Sequence, residues 1–253
     1  MLLSIIIPVY NEVGLVTVLL GKVEALQLEG GLEKELVIVD DGSSDGTRDL
    51  LVEYVASRPG LKLLLHEENR GKGAAVRTGF NAASGDILII QDADLEYDPE
   101  DILKVVAPIQ RGECQVVYGS RILMEKALGR AGFSGLLTGK HPHSYPLAYI
   151  GGVVITQFAN LLTGANLTDE PTCYKCFHLS ALEGIEIECD DFSWEPEVTM
   201  KILLRGIRIV EVPISYHPRK NDEGKKINWR HGVKALGVLL KYRLQESRLG
   251  NND

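Results

Sequence analysis

Three short apolar runs, each broken off by an acidic cluster, set the frame for this chain. Leu2 to Val9 stops at Tyr10-Asn11-Glu12, Glu35 to Val39 stops at Asp40-Asp41, and Asp86 to Gln91 stops at Asp92-Ala93-Asp94. Such runs read as strands buried on both faces. Segments of helical spacing lie between them, over Glu12 to Leu28, Arg48 to Ser57, Gly73 to Ser84 and Pro99 to Gln110. Leu61 to His66 and Gln115 to Gly119 add two more strands. Strands alternating with helices predict an α/β fold with a mostly parallel sheet and right-handed crossovers. Ligands of such sheets bind outside the carboxyl ends of the strands. The three acidic clusters are therefore expected to meet at one edge, although up to eighty or so residues of chain separate them.

The remaining composition narrows the partners. A chain of 253 residues, 45% hydrophobic and 25% charged, is long enough for one large α/β unit. A net charge of -8 argues against nucleic acid, which needs clustered Lys and Arg. The four cysteines form no secreted disulfide pattern, and no basic leader precedes the first strand, so a reducing, cytoplasmic setting is expected. Cys173 and Cys176 have the spacing of half a zinc site, with no second half. No apolar run is long enough to cross a membrane; Tyr145 to Leu162, interrupted by Gln157 and Asn160, is of a kind that lies on one. Beyond Ile122 the pattern loosens. Met200 to Leu204 and Val233 to Tyr242 read as helices, Ile207 to Val212 as a strand, and the tail after Gln245 as frayed. We divide the chain at residue 121, into a ligand-binding core (1–121) and a region (122–253) that completes the same domain.

Several side chains point to phosphate and metal chemistry. Asp92 and Asp94, at a strand end, can chelate Mg2+ or Mn2+, hard ions that share their coordination sphere with substrate phosphates; Glu96 can add a third oxygen. The bland alternative is a turn capping the helix near Pro99. Asp40-Asp41 can accept hydrogen bonds from a base or a ribose, or cap the next helix. Tyr10 can stack on a base or pack in the core, and Glu12 can bind a hydroxyl. Asn69-Arg70-Gly71-Lys72-Gly73 is glycine-rich, basic and opens a helix, but it lacks the spacing of a nucleotide triphosphate loop. Arg121 can hold a phosphate or form an ion pair. Arg219, Lys225 and Lys226 form a basic segment able to close over a diphosphate. Asp169, Glu170, Glu195 and Glu197 are candidate bases or sugar-binding acids, or simply acids at helix starts.

In order, the segments SIIIPVYNE (4–12), VDDGSSDGT (39–47), NRGKGAAVRTGF (69–80), GDILIIQDADLEYDPED (85–101), YGSR (118–121), LTDEPTCYKCF (167–177), WEPEVTMKIL (194–203), RIVEVPISYHPR (208–219) and GKKINWRHG (224–232) resemble family 2 glycosyltransferases. The nearest group is the polyprenyl-phosphate sugar transferases, similar to dolichol-phosphate mannose synthase. The resemblance implies a GT-A-type, Rossmann-like fold with C-terminal acceptor or interface helices. It implies a nucleotide site at Pro8, Tyr10, Glu12, Val39, Asp41, Arg219 and Lys226, and Mg2+ or Mn2+ on Asp92, Asp94 and Glu96. Arg121 matches a position near the diphosphate and the acceptor phosphate. The partners implied are a nucleotide diphosphate sugar donor, a polyprenyl phosphate acceptor and the cytoplasmic face of a membrane, with a homo-oligomer or membrane-protein partner also open. The segment TDEPTCYKCF departs from the sequence common in mannose synthases.

The resemblance also implies inversion by in-line attack. A phosphate acceptor is already ionised at neutral pH and needs positioning rather than a strong base; a hydroxyl acceptor needs a carboxylate, for which Asp169 and Glu170 are candidates. The other readings are a transferase acting on such a hydroxyl and a non-catalytic subunit that binds nucleotide sugars.

Overall fold

The computed structural model describes residues 1–129, 146–219 and 229–249. Seven strands form one sheet: β1 (Leu2–Val9), β2 (Glu33–Asp40), β3 (Leu61–Leu65), β4 (Ile87–Ile90), β5 (Val116–Ser120), β6 (Lys175–His178) and β7 (Ile209–Pro213). Their order across the sheet is β3-β2-β1-β4-β6-β5-β7. All pairings are parallel except those of β6, which runs antiparallel between β4 and β5. Ile5, Ile6, Ile7, Val37, Ile38, Ile89 and Ile90 are fully buried, as expected where helices cover both faces. The sheet is the α/β, mostly parallel arrangement that the alternation of strands and helices predicts.

The helices are α1 (Val16–Ala25), α2 (Thr47–Ala56), α3 (Lys72–Ala82), α4 (Asp101–Gln110), α5 (Arg121–Ala127), α6 (Pro146–Thr163), α7 (Leu179–Leu182), α8 (Trp194–Leu204) and α9 (Trp229–Leu249). Helix α1 starts at Val16, not at Glu12. Asn11 has a positive φ of 51°, so the chain turns out of β1 before the helix begins. Helix α8 starts six residues before the expected Met200, because Pro196 sits in the first turn, where a missing N–H costs nothing. Helix α9 runs on to Leu249, past the expected frayed point at Gln245.

Strand β1 passes its chain outward to β2 and β3, and the chain then crosses back through α3 to β4 beside β1. This is the switch point of the sheet, where the carboxyl ends of two neighbouring strands leave a crevice. Helix α3 docks closely there. A Cβ added to Gly73 would lie 2.1 Å from the Cys189 carbonyl oxygen, so only glycine lets the helix start press on residues 189–191.

A second, smaller core joins α6, α8 and α9 through Ile155, Ala159, Met200, Leu239 and Tyr242. Glu197 of α8 ties this layer together. It accepts the backbone N–H groups of Glu188 and Cys189 at 2.8 Å each, the Tyr242 hydroxyl at 2.8 Å and the Lys201 ammonium at 2.7 Å. Burial pushes its carboxyl upward, but the bonds from Lys201, the two N–H groups and Tyr242 prevail and hold it below the ordinary 4.5. A depressed carboxylate stabilises the fold above that value and loses its contribution as pH falls through it. Glu197→Gln should cost about 1.5–3 kcal/mol at neutral pH. It should also lose less further stability than the parent when urea unfolding is repeated below pH 4.5.

Candidate functional site

The crevice at the switch point opens into a cleft of about 930 Å3. Pro8, Tyr10, Glu12, Asp41, Asp92, Asp94, Glu96, Arg121, Asp169 and Arg219 all line it. These ten sequence candidates thus share one cavity, and Glu170 and Glu195 line it as well. Val39 does not line it; its side chain is fully buried within β2. Lys226 lies outside the described residues.

The acids fall into distinct roles. Asp40 is the last residue of β2, is fully buried and accepts Arg48 Nε at 2.8 Å, so it braces α2 rather than receiving a ligand. Asp41 faces the cleft and pins its neighbouring loop. It accepts the N–H of Arg70 at 2.9 Å and that of Gly71 at 2.8 Å, and its Oδ1 lies 2.7 Å from His66 Nδ1. This sets the start of α3, and with it Lys72. The Lys72 ammonium donates to Asp92 at 3.0 Å and to Glu195 Oε1 at 2.9 Å. It lies 2.9 Å from the other Asp92 oxygen.

Arg219 covers the second half of the acidic floor. It donates to Glu12 through both terminal nitrogens at 3.0 and 3.1 Å, and its Nη2 lies 3.1 Å from Asp94 Oδ2. Glu96, expected as a third metal oxygen, accepts the Tyr216 hydroxyl at 2.8 Å and the Arg219 N–H at 2.9 Å. Leu95, between Asp94 and Glu96, has φ of 59°, a left-handed conformation that costs a leucine about 1 kcal/mol or more. That turn brings both neighbouring carboxylates to the cleft.

Five carboxylates of the described floor (Glu12, Asp92, Asp94, Glu96 and Glu195) therefore share the two cations Lys72 and Arg219. Burial and the charges of Asp92 and Glu96 push the Asp94 carboxyl up to about 7, against the pull of Arg219. Among the described residues no three Asp, Glu, His or Cys side chains converge into a complete metal cage. Two hard carboxylates with an excess of negative charge still fit an Mg2+ or Mn2+ ion that takes its other oxygens from phosphates and water. They do not fit a soft or closed zinc site. The four cysteines are free, so Cys173 and Cys176 form no disulfide.

Arg121 and Asp169 are partners rather than separate actors. Arg121 Nε and Nη2 each donate to Asp169 at 2.7 Å, and Nη2 also reaches the Pro171 carbonyl at 2.9 Å. The Asp169 N–H and the Thr168 N–H are held by Glu211 at 2.9 and 2.8 Å. Asp169 is thus clamped on both its carboxylate and its backbone, a poor arrangement for a proton-accepting base. Lys72 and Glu195 gain the prominence the sequence reading withheld. The NRGKG pattern flagged the loop, but a contact spanning 123 residues has no sequence signal.

The far wall of the cleft is apolar. It consists of Gly151 to Ile155 on α6 and Val233, Ala235 and Leu236 on α9.

The glycosyl transferase family 2 model matches residues 4–154. This chain belongs to glycosyltransferase family 2. It is 30% identical over 228 residues to dolichol-phosphate mannosyltransferase of Pyrococcus furiosus, a match covering 89% of this chain and 59% of that protein. It is 26% identical to undecaprenyl-phosphate mannosyltransferase of Micrococcus luteus, covering 97% of this chain and 98% of that protein. The chain spans 55% to 64% of the length of four other curated relatives, the Pyrococcus one included. Among solved structures, glucosyl-3-phosphoglycerate synthase of Mycobacterium tuberculosis, in complex with Mn2+, UDP and phosphoglyceric acid, shares the fold. It gives a TM-score of 0.65 at 19% identity, covering 95% of this chain and 78% of that one.

Breaking the Arg121–Asp169 clasp leaves a buried guanidinium without its anion. Asp169→Asn should lower stability by about 3 kcal/mol in urea unfolding, and the double variant Arg121→Met, Asp169→Leu should recover much of that loss.

Proposed function

We propose that this chain transfers a sugar from a nucleotide diphosphate to a polyprenyl phosphate at a membrane surface. The observation that carries this reading is a single cleft lined both by a carboxylate cluster and by apolar residues of α6 and α9. Such a cleft suits a charged, cation-bridged donor facing an amphiphilic acceptor. The relatives' names, which specify dolichol phosphate and undecaprenyl phosphate as acceptors, support the same reading.

In this reading, Pro8, Tyr10, Glu12 and Asp41 receive the nucleoside, and Arg219 and Lys226 close over the diphosphate. Asp92 and Asp94, with Glu96 at their side, hold Mg2+ or Mn2+. The ion's chemistry is to neutralise charge on the departing nucleoside diphosphate. Arg121 Nη1 makes no hydrogen bond among the described residues, and we assign it to the acceptor phosphate. That phosphate is ionised at neutral pH, attacks in line and inverts the anomeric centre. Of the two carboxylates that could take the proton of a hydroxyl acceptor, Asp169 is clamped by Arg121, whereas Glu170 lines the cleft and accepts the Thr199 hydroxyl through one oxygen.

The membrane side is supported by α6 and α9. Ile150, Val154 and Leu161 on α6 and Val233, Leu240 and Leu244 on α9 are exposed. Arg230, Lys234, Lys241 and Arg243 are exposed on α9 as well. No helix among the described residues is long and apolar enough to cross a membrane. An apolar face with a basic fringe rests on an anionic bilayer, here assigned to the cytoplasmic leaflet. Residues 122–253 then serve as the acceptor side of the unit whose donor side is 1–121.

The test is lipid extraction after incubation with labelled UDP- and GDP-sugars, undecaprenyl or dolichyl phosphate, and Mg2+ or Mn2+. Label should enter the lipid phase, and Asp92→Asn or Asp94→Asn should reduce it by about a hundredfold or more. Label passing instead to a water-soluble or hydroxyl-bearing acceptor would refute the proposed acceptor.

A further inference from the structure

Lys72 occupies a position that its own helix disfavours. It is the first residue of α3, an eleven-residue helix whose N-terminus carries positive partial charge. An ammonium is repelled there and needs anions from elsewhere. It takes them from Asp92, with both oxygens within 3.0 Å, and from Glu195 at 2.9 Å. Its three N–H donors thus have three acceptor oxygens around them. Both Asp92 oxygens, which a divalent ion would use, are engaged by this ammonium.

We infer that Lys72 is an internal counter-cation which guards Asp92 until ligands bind and moves to the donor's diphosphate when the metal enters, so that ion and nucleotide bind cooperatively. The inference rests on the donor site proposed above. Its physical logic is an exchange of partners. A divalent ion alone must part Lys72 from Asp92 and leave the ammonium beside a repelling helix end with Glu195 as its remaining anion. A nucleoside diphosphate arriving with the ion offers Lys72 new anionic oxygens, and the same oxygens suit the helix N-terminus. The cost of parting the pair is then recovered only when both ligands are present, which is a coupling free energy between two ligands. Gly71 and Gly73 flank Lys72, and a Cβ at either would press on residues 189–191, so the backbone stays fixed while the side chain alone exchanges partners.

The experiment measures Mn2+ affinity of the full chain by electron paramagnetic resonance, without nucleotide and with saturating UDP or GDP. In the parent, one of the nucleotides should tighten Mn2+ by about tenfold or more. Lys72→Met should tighten Mn2+ alone by about tenfold and weaken it in the presence of the nucleotide, reversing sign between the two conditions. A plain loss of nearby positive charge would tighten Mn2+ in both conditions, and that result would overturn the exchange. Equal Mn2+ affinity of variant and parent without nucleotide would overturn it too. Glu195→Gln provides a second handle should Lys72→Met fold poorly. With Asp92 as its one charged anchor, Lys72 should hold that residue harder and weaken Mn2+ alone, whereas unchanged or tighter Mn2+ would count against the exchange. Failure of both UDP and GDP to alter Mn2+ binding by the parent would instead sink the donor site itself, together with the inference that rests on it.

Discussion

Negative charge gathered at the carboxyl edge of a parallel sheet is the constraint around which the rest of this structure is arranged. Glu12 follows β1, and Asp92 and Asp94 follow β4; the two strands are neighbours in the sheet. Bringing these groups together without compensation would cost several kcal/mol, since half-buried carboxylates repel and lose water. The fold answers with Lys72 from α3 and Arg219 from the segment after β7. It leaves the floor short of positive charge, and that shortfall is the ground on which we propose that the edge receives a cation and its phosphates.

The supporting structure keeps this edge rigid. Asp41 fixes the loop before α3 through two backbone N–H groups, and glycine at 73 lets the helix start lie against residues 189–191. Left-handed backbone at Asn11 and Leu95 turns the chain just after β1 and β4, where the acids must face the cleft. The Arg121–Asp169 clasp and the cap from Glu211 anchor the opposite wall. Polar groups are thereby preorganised on strand ends, while the apolar helices α6 and α9 close the other side.

Much of this was legible in the sequence. Continuous β-branched runs mark β1, β2 and β4, and their acidic endings mark the edge where the cleft opens. What escaped did so for physical reasons. Strand β6 carries Lys175 in its first position, and a lysine reads as exposed. In the fold it is fully buried, donating to the Glu170 carbonyl at 2.6 Å and resting 3.9 Å from the centre of the Tyr118 ring. Pro196 concealed the start of α8. Asp40 and Asp41 are adjacent and chemically alike, yet strand alternation points one at Arg48 and the other at the cleft. The pairing of Arg121 with Asp169 spans 48 residues and depends on a loop that local pattern does not encode.

We propose that the edge between β1 and β4 holds a cation bridging a nucleoside diphosphate. The most direct measurement is anomalous diffraction from crystals grown with Mn2+ and UDP or GDP. One manganese peak should lie about 2.0–2.3 Å from a carboxylate oxygen of Asp92 or Asp94, with diphosphate oxygens completing its shell. A nucleotide bound elsewhere, or a manganese peak remote from both aspartates, would contradict it.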